Sequence, residues 1–253
     1  MCAATGLALV GAIDDRRPVE AVPRLILQAV AVAAVVTALP PDVRIVPAVP
    51  WWLDRALMLV GGVWLVNVVN FMDGIDWMTV AEVVPVTAAL ALLGWEDVLP
   101  TSAAVVAAAL CGAMVGFAPF NKPIARLFLG DVGSLPVGLL LGWMLVLLAG
   151  RGHLTAAILL PLYYLADATI TLMRRIIKGE RITQAHRSHF YQRAMDGGFS
   201  VYQIVSRVVA LNILLAALAI ATIGTSPAVG MICLVAGAVL VGLALWSFAG
   251  TGK

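Results

Sequence analysis

The amino-acid sequence predicts an all-α fold, a polytopic integral membrane bundle of about eight full transmembrane helices plus a partial one at the N-terminus. Three observations predict it. The composition is 62% hydrophobic and only 12% charged, with a mean hydropathy of +1.01, outside the range of soluble globular domains. Apolar runs recur along the whole chain, separated by short polar stretches. The cations fall on alternate connections rather than on all of them. At 253 residues, with roughly 20 per span plus a loop, a single membrane domain over residues 1–253 accounts for the length.

In chain order, residues 1–13 are apolar, too short to span, and end on Asp14, Asp15, Arg16 and Arg17. They read as the tail of a helix whose beginning is absent, without the basic leader or A-x-A site of a signal peptide. Spans are expected at 22–39, 56–69, 78–93, 102–118, 135–149, 154–173, 204–223 and 228–248. Those shorter than about 20 residues need tilt or burial against neighbours. Alternation places 14–20, 70–77, 119–133, 174–203 and Lys253 on one side. All sixteen Lys and Arg except Arg44, Arg55 and Arg151 lie there or at its edge, so that side is the expected cytoplasmic face.

The opposite loops are plain. Trp51 and Trp52 with Arg55 read as an interfacial aromatic belt, and His153 as a solvated surface residue. Cys2, Cys111 and Cys233 lack ligand spacing and are read as small buried hydrophobes. A net charge of +2 excludes the basic surface of a nucleic-acid binder; the expected partner of the bulk surface is the lipid bilayer.

Polar groups at a membrane edge are costly unless paired, so their default reading is functional. Asn67, Asn70, Asp73 and Asp76 follow one another at steps of three, a stripe along a helix if the segment is helical. Gly74 lets the backbone break or approach a ligand there. Oxygens clustered in this way suit a hard cation such as Mg²⁺. Asp14 and Asp15 form a second acidic pair. In the run Phe128 to Ser134, Asp131 stands between two glycines before a span, where backbone N–H groups and a carboxylate reach the same phosphate and metal. Asn121, Lys122 and Arg126 precede it. The long loop carries Arg174, Arg175, Lys178 and Arg181, then the motif 185–193 with His186, Arg187, His189 and Arg193. Arginine forks and histidines there suit phosphate better than zinc. Glu82 and Asp167 lie within spans and face the bundle interior, as structural partners or substrate contacts.

These stretches, in this order, resemble the polyprenyl-phosphate N-acetylhexosamine-1-phosphate transferases, the membrane family that includes the phospho-N-acetylmuramoyl-pentapeptide transferase. The match runs from Asp14 to Arg193. The resemblance implies transfer of a sugar-1-phosphate from a UDP-N-acetylhexosamine to undecaprenyl phosphate at the cytoplasmic face of the bacterial inner membrane, with Mg²⁺, or Mn²⁺ in its place. It implies Asp131 as metal ligand and Asp14 and Asp15 as the acidic pair on the lipid-phosphate side. It further implies Asn70, Asp73 and Asp76 as the nucleotide-sugar and catalytic stripe, with His186 and His189 on the pyrophosphate. Asn67, Asn121, Arg187 and Arg193 complete the expected substrate-binding set; a homodimer is left open.

Three departures qualify the resemblance. His186 and His189 replace a run of histidines, which favours the O-antigen or exopolysaccharide branch over the muramoyl-pentapeptide one. Trp77 stands where the family often has glycine. The spans that precede the acidic pair in the family are absent, so the expectation is a chain lacking the first N-terminal spans. The rival readings are a cation-coupled transporter, which predicts acids near the bilayer midplane, and an inactive truncated transferase.

Overall fold

The computed structural model describes residues 1–181 and 186–250. Ala185, which opens the basic motif, and Lys253 lie outside the described residues. Those residues form helices and connections: α1 (Cys2–Asp14), α2 (Ala21–Ala38), α3 (Trp51–Met72), α4 (Met78–Trp95), α5 (Thr101–Phe117), α6 (Gly130–Gly150), α7 (Leu154–Leu159), α8 (Leu162–Ile177), α9 (Phe190–Asp196), α10 (Val201–Ala221) and α11 (Pro227–Ala249). The protein is an all-α, multi-pass membrane bundle. Among the described residues α2, α3, α4, α6, α10 and α11 are long and apolar enough to cross a membrane, while α1 and α5 are apolar but shorter.

The helices start and stop for local reasons. Pro50 and Pro100 precede α3 and α5, and Pro227 opens α11, where a missing N–H costs nothing. Ser200 and Gln203 form a reciprocal capping box at α10. Arg55 is buried and donates to the carbonyls of Val36 (3.0 Å) and Pro40 (2.7 Å), closing the end of α2. It is therefore a helix cap. Only Trp51 and Trp52 of the expected aromatic belt are exposed.

Two expectations are corrected. The span expected at 154–173 is two helices, α7 and α8, broken at Leu160 and Pro161. Pro161 has no N–H to continue the ladder and its ring crowds the preceding turn. Of the cysteines only Cys233 is buried; Cys111 is half-buried and Cys2 is exposed on the first turn of α1.

At the centre, α6 packs against both α1 and α3, with Leu135, Leu141, Met144 and Leu148 almost fully buried. Close approach requires small residues: a Cβ on Gly138 would lie 2.8 Å from the Val66 Cα, the small-residue contact that membrane helices use in place of a hydrophobic drive. At the first turn of α6, Gly11 abuts the backbone of Asp131. That contact brings the end of α1 onto the start of α6.

Candidate active site

The polar residues at one end of the bundle come from four helix ends. They are the last residues of α1, the first turn of α2, the end of α3 and the first turn of α6. Asp14 accepts the Val19 N–H (2.6 Å) and an Arg24 Nη1 contact (2.6 Å). The same Nη1 reaches Asp131 Oδ2 at 3.4 Å. Asp131 Oδ1 accepts from Asn70 Nδ2 (2.6 Å), which also donates to Ser134 Oγ (2.9 Å). One guanidinium thus stands between two carboxylates, and one amide ties α3 to α6. With Nδ2 committed, the Asn70 carbonyl oxygen is left for a donor or a cation.

Asp15 has a different task. Its two oxygens accept the backbone N–H groups of Asp131 (2.9 Å) and Val132 (3.1 Å), so it caps the N-terminus of α6 with a negative charge at the positive end of the helix dipole. Gly130 adopts φ +62, and a Cβ there would lie 2.6 Å from Asp15 Oδ2.

Asp73 follows directly on the last residue of α3 and takes a hydrogen bond from the Thr79 hydroxyl. Burial pushes its carboxyl up to about 7; the charges of Asp131 and Asp15 act in the same direction and Thr79 against it. Asp73 is thus in electrostatic range of the acidic cluster. An all-oxygen donor set of this kind fits Mg²⁺, which takes one or two protein carboxylates and leaves the rest to phosphate and water. Among the described residues no three His, Cys, Asp or Glu are grouped to hold a metal by themselves.

A second lobe comes from the long loop. Asp167 of α8 is fully buried, and its carboxylate faces His189 Nδ1 at 3.1 Å. It also accepts the Phe190 and Tyr191 N–H groups at the start of α9. A carboxylate partner makes Nδ1 the donor and turns Nε2 away as the free atom. The His189 ring stacks with those of His186 (5.0 Å) and Tyr191 (5.8 Å). The Tyr191 hydroxyl donates to Phe71 O of α3 at 3.2 Å. Burial, then the charges of Asp167 and Asp73, hold that phenol above its ordinary range, so it stays a donor. Gly74 makes the contact sterically feasible, since a Cβ there would overlap the Tyr191 hydroxyl.

The structure therefore brings together Asp14, Asp15, Asn70 and Asp131 in one cluster, with Asp73 beside it and His186 and His189 on the α9 side. Other predicted residues are placed elsewhere. Asp76 accepts the Ala125 N–H (3.0 Å) and holds the α5–α6 connection. Asn121 accepts the Trp77 N–H (2.8 Å) and donates to Leu127 O (2.9 Å). Asn67 lies one turn deeper and donates to Gln28 Oε1 (2.7 Å). Arg187 is exposed. Arg193 lies over the Phe190 ring at 5.9 Å, on which Arg174 also stacks at 5.3 Å. Glu82 pairs with Asn212 of α10 (2.7 Å) inside the bundle.

Sequence reasoning missed Arg24, counted only as an edge cation, and left Asp167 without a role. The available signal for Arg24 was a lone cation in the first turn of an apolar helix, ten residues after an acidic pair. Ser134, Thr79 and Gln28 carried no such signal.

A family model described as glycosyl transferase family 4 matches residues 1–149. A protein of Bacillus subtilis (strain 168) described as a "probable undecaprenyl-phosphate N-acetylglucosaminyl 1-phosphate transferase" is 28% identical over 208 residues, 77% of this chain and 57% of that protein. A phospho-N-acetylmuramoyl-pentapeptide-transferase of Synechococcus sp. (strain JA-3-3Ab) is 34% identical over 173 residues, 66% of this chain and 49% of that one. A decaprenyl-phosphate N-acetylglucosaminephosphotransferase of Mycobacterium tuberculosis (strain ATCC 25618 / H37Rv) is 28% identical over 228 residues, 78% and 56% of the two chains. The chain spans about half the length of these curated relatives.

Proposed function

The chain belongs to glycosyl transferase family 4, and from that premise we propose that it transfers an N-acetylhexosamine-1-phosphate from a UDP-sugar to undecaprenyl phosphate, releasing UMP. The observation that carries the reading is the cluster of Asp14, Arg24, Asp131 and Asn70, acids and donors held by four helix ends at one edge of an apolar bundle. That edge is the proposed cytoplasmic face, where a water-soluble nucleotide sugar meets a lipid phosphate. The product initiates a cell-surface glycan on its lipid carrier, of the O-antigen or exopolysaccharide type.

Phosphoryl transfer is mostly positioning and charge stabilisation. Asp131, with Asp14 as neighbour, would hold Mg²⁺, which would supply positive charge to the phosphate oxygens. The remaining work falls to the chain's own side chains. Arg24, oriented by Asp14, presents a guanidinium beside the metal ligand. Asn70, pinned by Asp131 and Ser134, aims its carbonyl oxygen. His189, oriented by Asp167, presents Nε2 to the donor's pyrophosphate, with the His186 ring stacked on it. An oxygen of the lipid phosphate attacks the β-phosphorus of the UDP-sugar, the bond to the α-phosphate oxygen breaks, and UMP leaves. A phosphate monoester has a second pKa of about 6, so the attacking oxygen is largely deprotonated at neutral pH without a dedicated base.

Direct attack is favoured over an aspartyl-phosphate intermediate by the engagement of both acids. Asp14 and Asp15 each have both oxygens taken up by N–H donors, which lowers their nucleophilicity. The transporter alternative needs acids along a path through the bundle, whereas Glu82 and Asp167 are tied to Asn212 and to the start of α9. The test is to incubate membranes containing the protein with UDP-N-acetylhexosamines, undecaprenyl phosphate and Mg²⁺ and to follow UMP. Release that depends on both substrates is expected; its absence with every donor overturns the proposal.

A further inference from the structure

Behind the site, α4, α8 and α10 meet over a group of buried polar atoms that the proposed transfer does not use. Glu82, Asn212, Tyr163 and Tyr164 are each at most 1% exposed. Asn212 Nδ2 donates to Glu82 Oε2 (2.7 Å) and to Ala81 O (3.0 Å). Three atoms are left over, since Glu82 Oε1, Asn212 Oδ1 and the Tyr163 hydroxyl have no hydrogen-bond partner among the described residues, and the Tyr164 hydroxyl approaches only that of Thr79. The two tyrosine rings are 6.0 Å apart. Both hydroxyls lie within electrostatic range of Glu82, and Tyr164 lies beside Thr79 and in range of Asp73. Thr79 is the residue that donates to Asp73.

Native interiors leave few such atoms unsatisfied, and three gathered at one helix junction call for a shared partner. Apolar cavities stay dry, but a site offering several polar partners holds ordered water. We propose that α4, α8 and α10 enclose an internal hydration chamber in which ordered water joins Glu82 and Asn212 to Tyr163 and Tyr164, and that this chamber backs Asp73 through Tyr164 and Thr79. Glu82 is then a positioning residue. It fixes the water network, the network fixes the Tyr164 and Thr79 hydroxyls, and Thr79 sets the carboxylate of Asp73. The link to Asp73 rests on the transfer reaction proposed above; the chamber itself does not.

Hydroxyl-radical labelling by X-ray irradiation of the full chain in detergent tests the chamber, because radicals born on bound internal water modify the rings around it. Tyr163 and Tyr164 are expected to be labelled despite their burial, while Phe248, equally buried, is not, and Asn212→Leu is expected to abolish the labelling. Protection equal to that of Phe248 overturns the chamber. Melting of Tyr163→Phe and Tyr164→Phe is an independent check: removing a truly orphaned hydroxyl is neutral or stabilising, whereas removing one that water satisfies lowers Tm. A rise in Tm for both overturns the proposal. So does a rise in wild-type Tm with Na⁺ that Glu82→Gln removes, since it would put a cation where water is proposed. For the link to Asp73, Glu82→Leu is expected to lower kcat for UMP release by about 10- to 100-fold, as small displacements of reacting groups do, with KM for the UDP-sugar unchanged. Glu82→Gln is expected to recover most of that loss. Labelling with an unchanged kcat rejects the link and keeps the chamber; no UMP from the wild-type chain rejects the transfer reaction instead.

Discussion

Replacing Asp15 separates a group that does chemistry from one that holds chemistry in place. Asp15 is exposed, and its two oxygens are both spent on the first N–H groups of α6. Loss of an N-cap costs about 0.5–2 kcal/mol, and the charge at the helix terminus adds roughly 0.3–1 kcal/mol. For an exposed cap the lower half of each range applies, so Asp15→Ala is expected to cost about 1 kcal/mol. For a chain of this size that is a fall in Tm of about 2–4 °C. Asp15→Asn keeps one acceptor oxygen of two and is expected to lose about half as much. One of the two capped N–H groups belongs to Asp131 itself, so the substitution also loosens the proposed metal ligand. Partners of this outer kind typically change metal affinity or activity by about 10- to 100-fold. Gly130→Ala is expected to act through the same contact. It forces a Cβ into the Asp15 carboxylate at a left-handed φ, which costs about 1–2 kcal/mol by itself. Combined with Asp15→Ala it should be less than additive, because the two changes share one interaction. The assay is UMP release by the purified protein against Mg²⁺ concentration, with melting in the same detergent. A loss of more than about 10⁴-fold in Asp15→Asn, with Tm and Mg²⁺ half-saturation unchanged, would show that Asp15 touches the reacting atoms and that the capping argument is wrong; losses on that scale belong to groups in the reaction itself.

Asp167→Asn removes the carboxylate that orients His189 and caps α9, and is expected to lower transfer about 100-fold while raising KM for the UDP-sugar more than for the lipid; equal effects on both would count against a pyrophosphate role for His189. Arg24→Lys replaces a fork by a point charge that cannot serve Asp14 and Asp131 at once, so activity should fall by about tenfold or more, visible in the same UMP assay. Asp73→Asn is expected to abolish transfer and to change the pH dependence of stability in EDTA. The Asp73 carboxyl is raised from 3.8 to about 7, so the folded state binds its proton more tightly than the unfolded state. That contribution is fully present below about pH 4 and is lost as pH rises through about 7. The Asn variant should therefore match the wild-type Tm trend at pH 4 and lie above it at pH 8; a variant below the wild type at pH 8 would refute the burial argument for Asp73.

The fold was legible because membrane spans are written in composition and length. The apolar runs at 22–39, 78–93 and 228–248 became α2, α4 and α11 with ends shifted by a few residues at most. The break at Pro161 was less legible, because apolarity alone cannot distinguish one span of 20 residues from two shorter helices meeting at a proline. The site was legible in part. Asp14, Asp15, Asn70, Asp73 and Asp131 stand out because polar groups are conspicuous in an apolar chain. Their assignments to partners are not local properties, however. Asp15 reaches a residue 116 positions away and Tyr191 one 120 positions away, and no spacing rule encodes such pairs. Arg24 was hidden for the opposite reason, since a cation near a helix end is also what the sidedness of membrane insertion produces.

The stripe of Asn67, Asn70, Asp73 and Asp76 shows why regular spacing misleads at a helix end. The step of three holds one face only while the chain remains helical, and α3 stops at Met72, with Asp73 at φ −82 and ψ 46. Asn67 and Asn70 do share a face, one above the other, toward Gln28 and toward Asp131. Past the break the directions separate. Asp73 turns to Thr79 of α4, and Asp76 turns to the Ala125 N–H. The turn closes at Trp77, which adopts φ 65, a left-handed conformation that costs a non-glycine residue about 1–2 kcal/mol. The requirement for that conformation gives a physical reason for glycine at this position. Here Trp77 offsets the strain with an indole N–H bond to Ala118 O (2.6 Å), a backbone bond to Asn121 and an edge contact with Tyr202 at 5.8 Å. Trp77→Gly should consequently relieve the backbone and still lower stability, because two side-chain contacts, with Ala118 and Tyr202, are lost for one relaxed dihedral, while the backbone N–H bond to Asn121 remains. The segment that reads as one stripe along a helix is thus a junction: its helical half builds the acidic cluster, and its broken half fastens α4 and the α5–α6 connection around it.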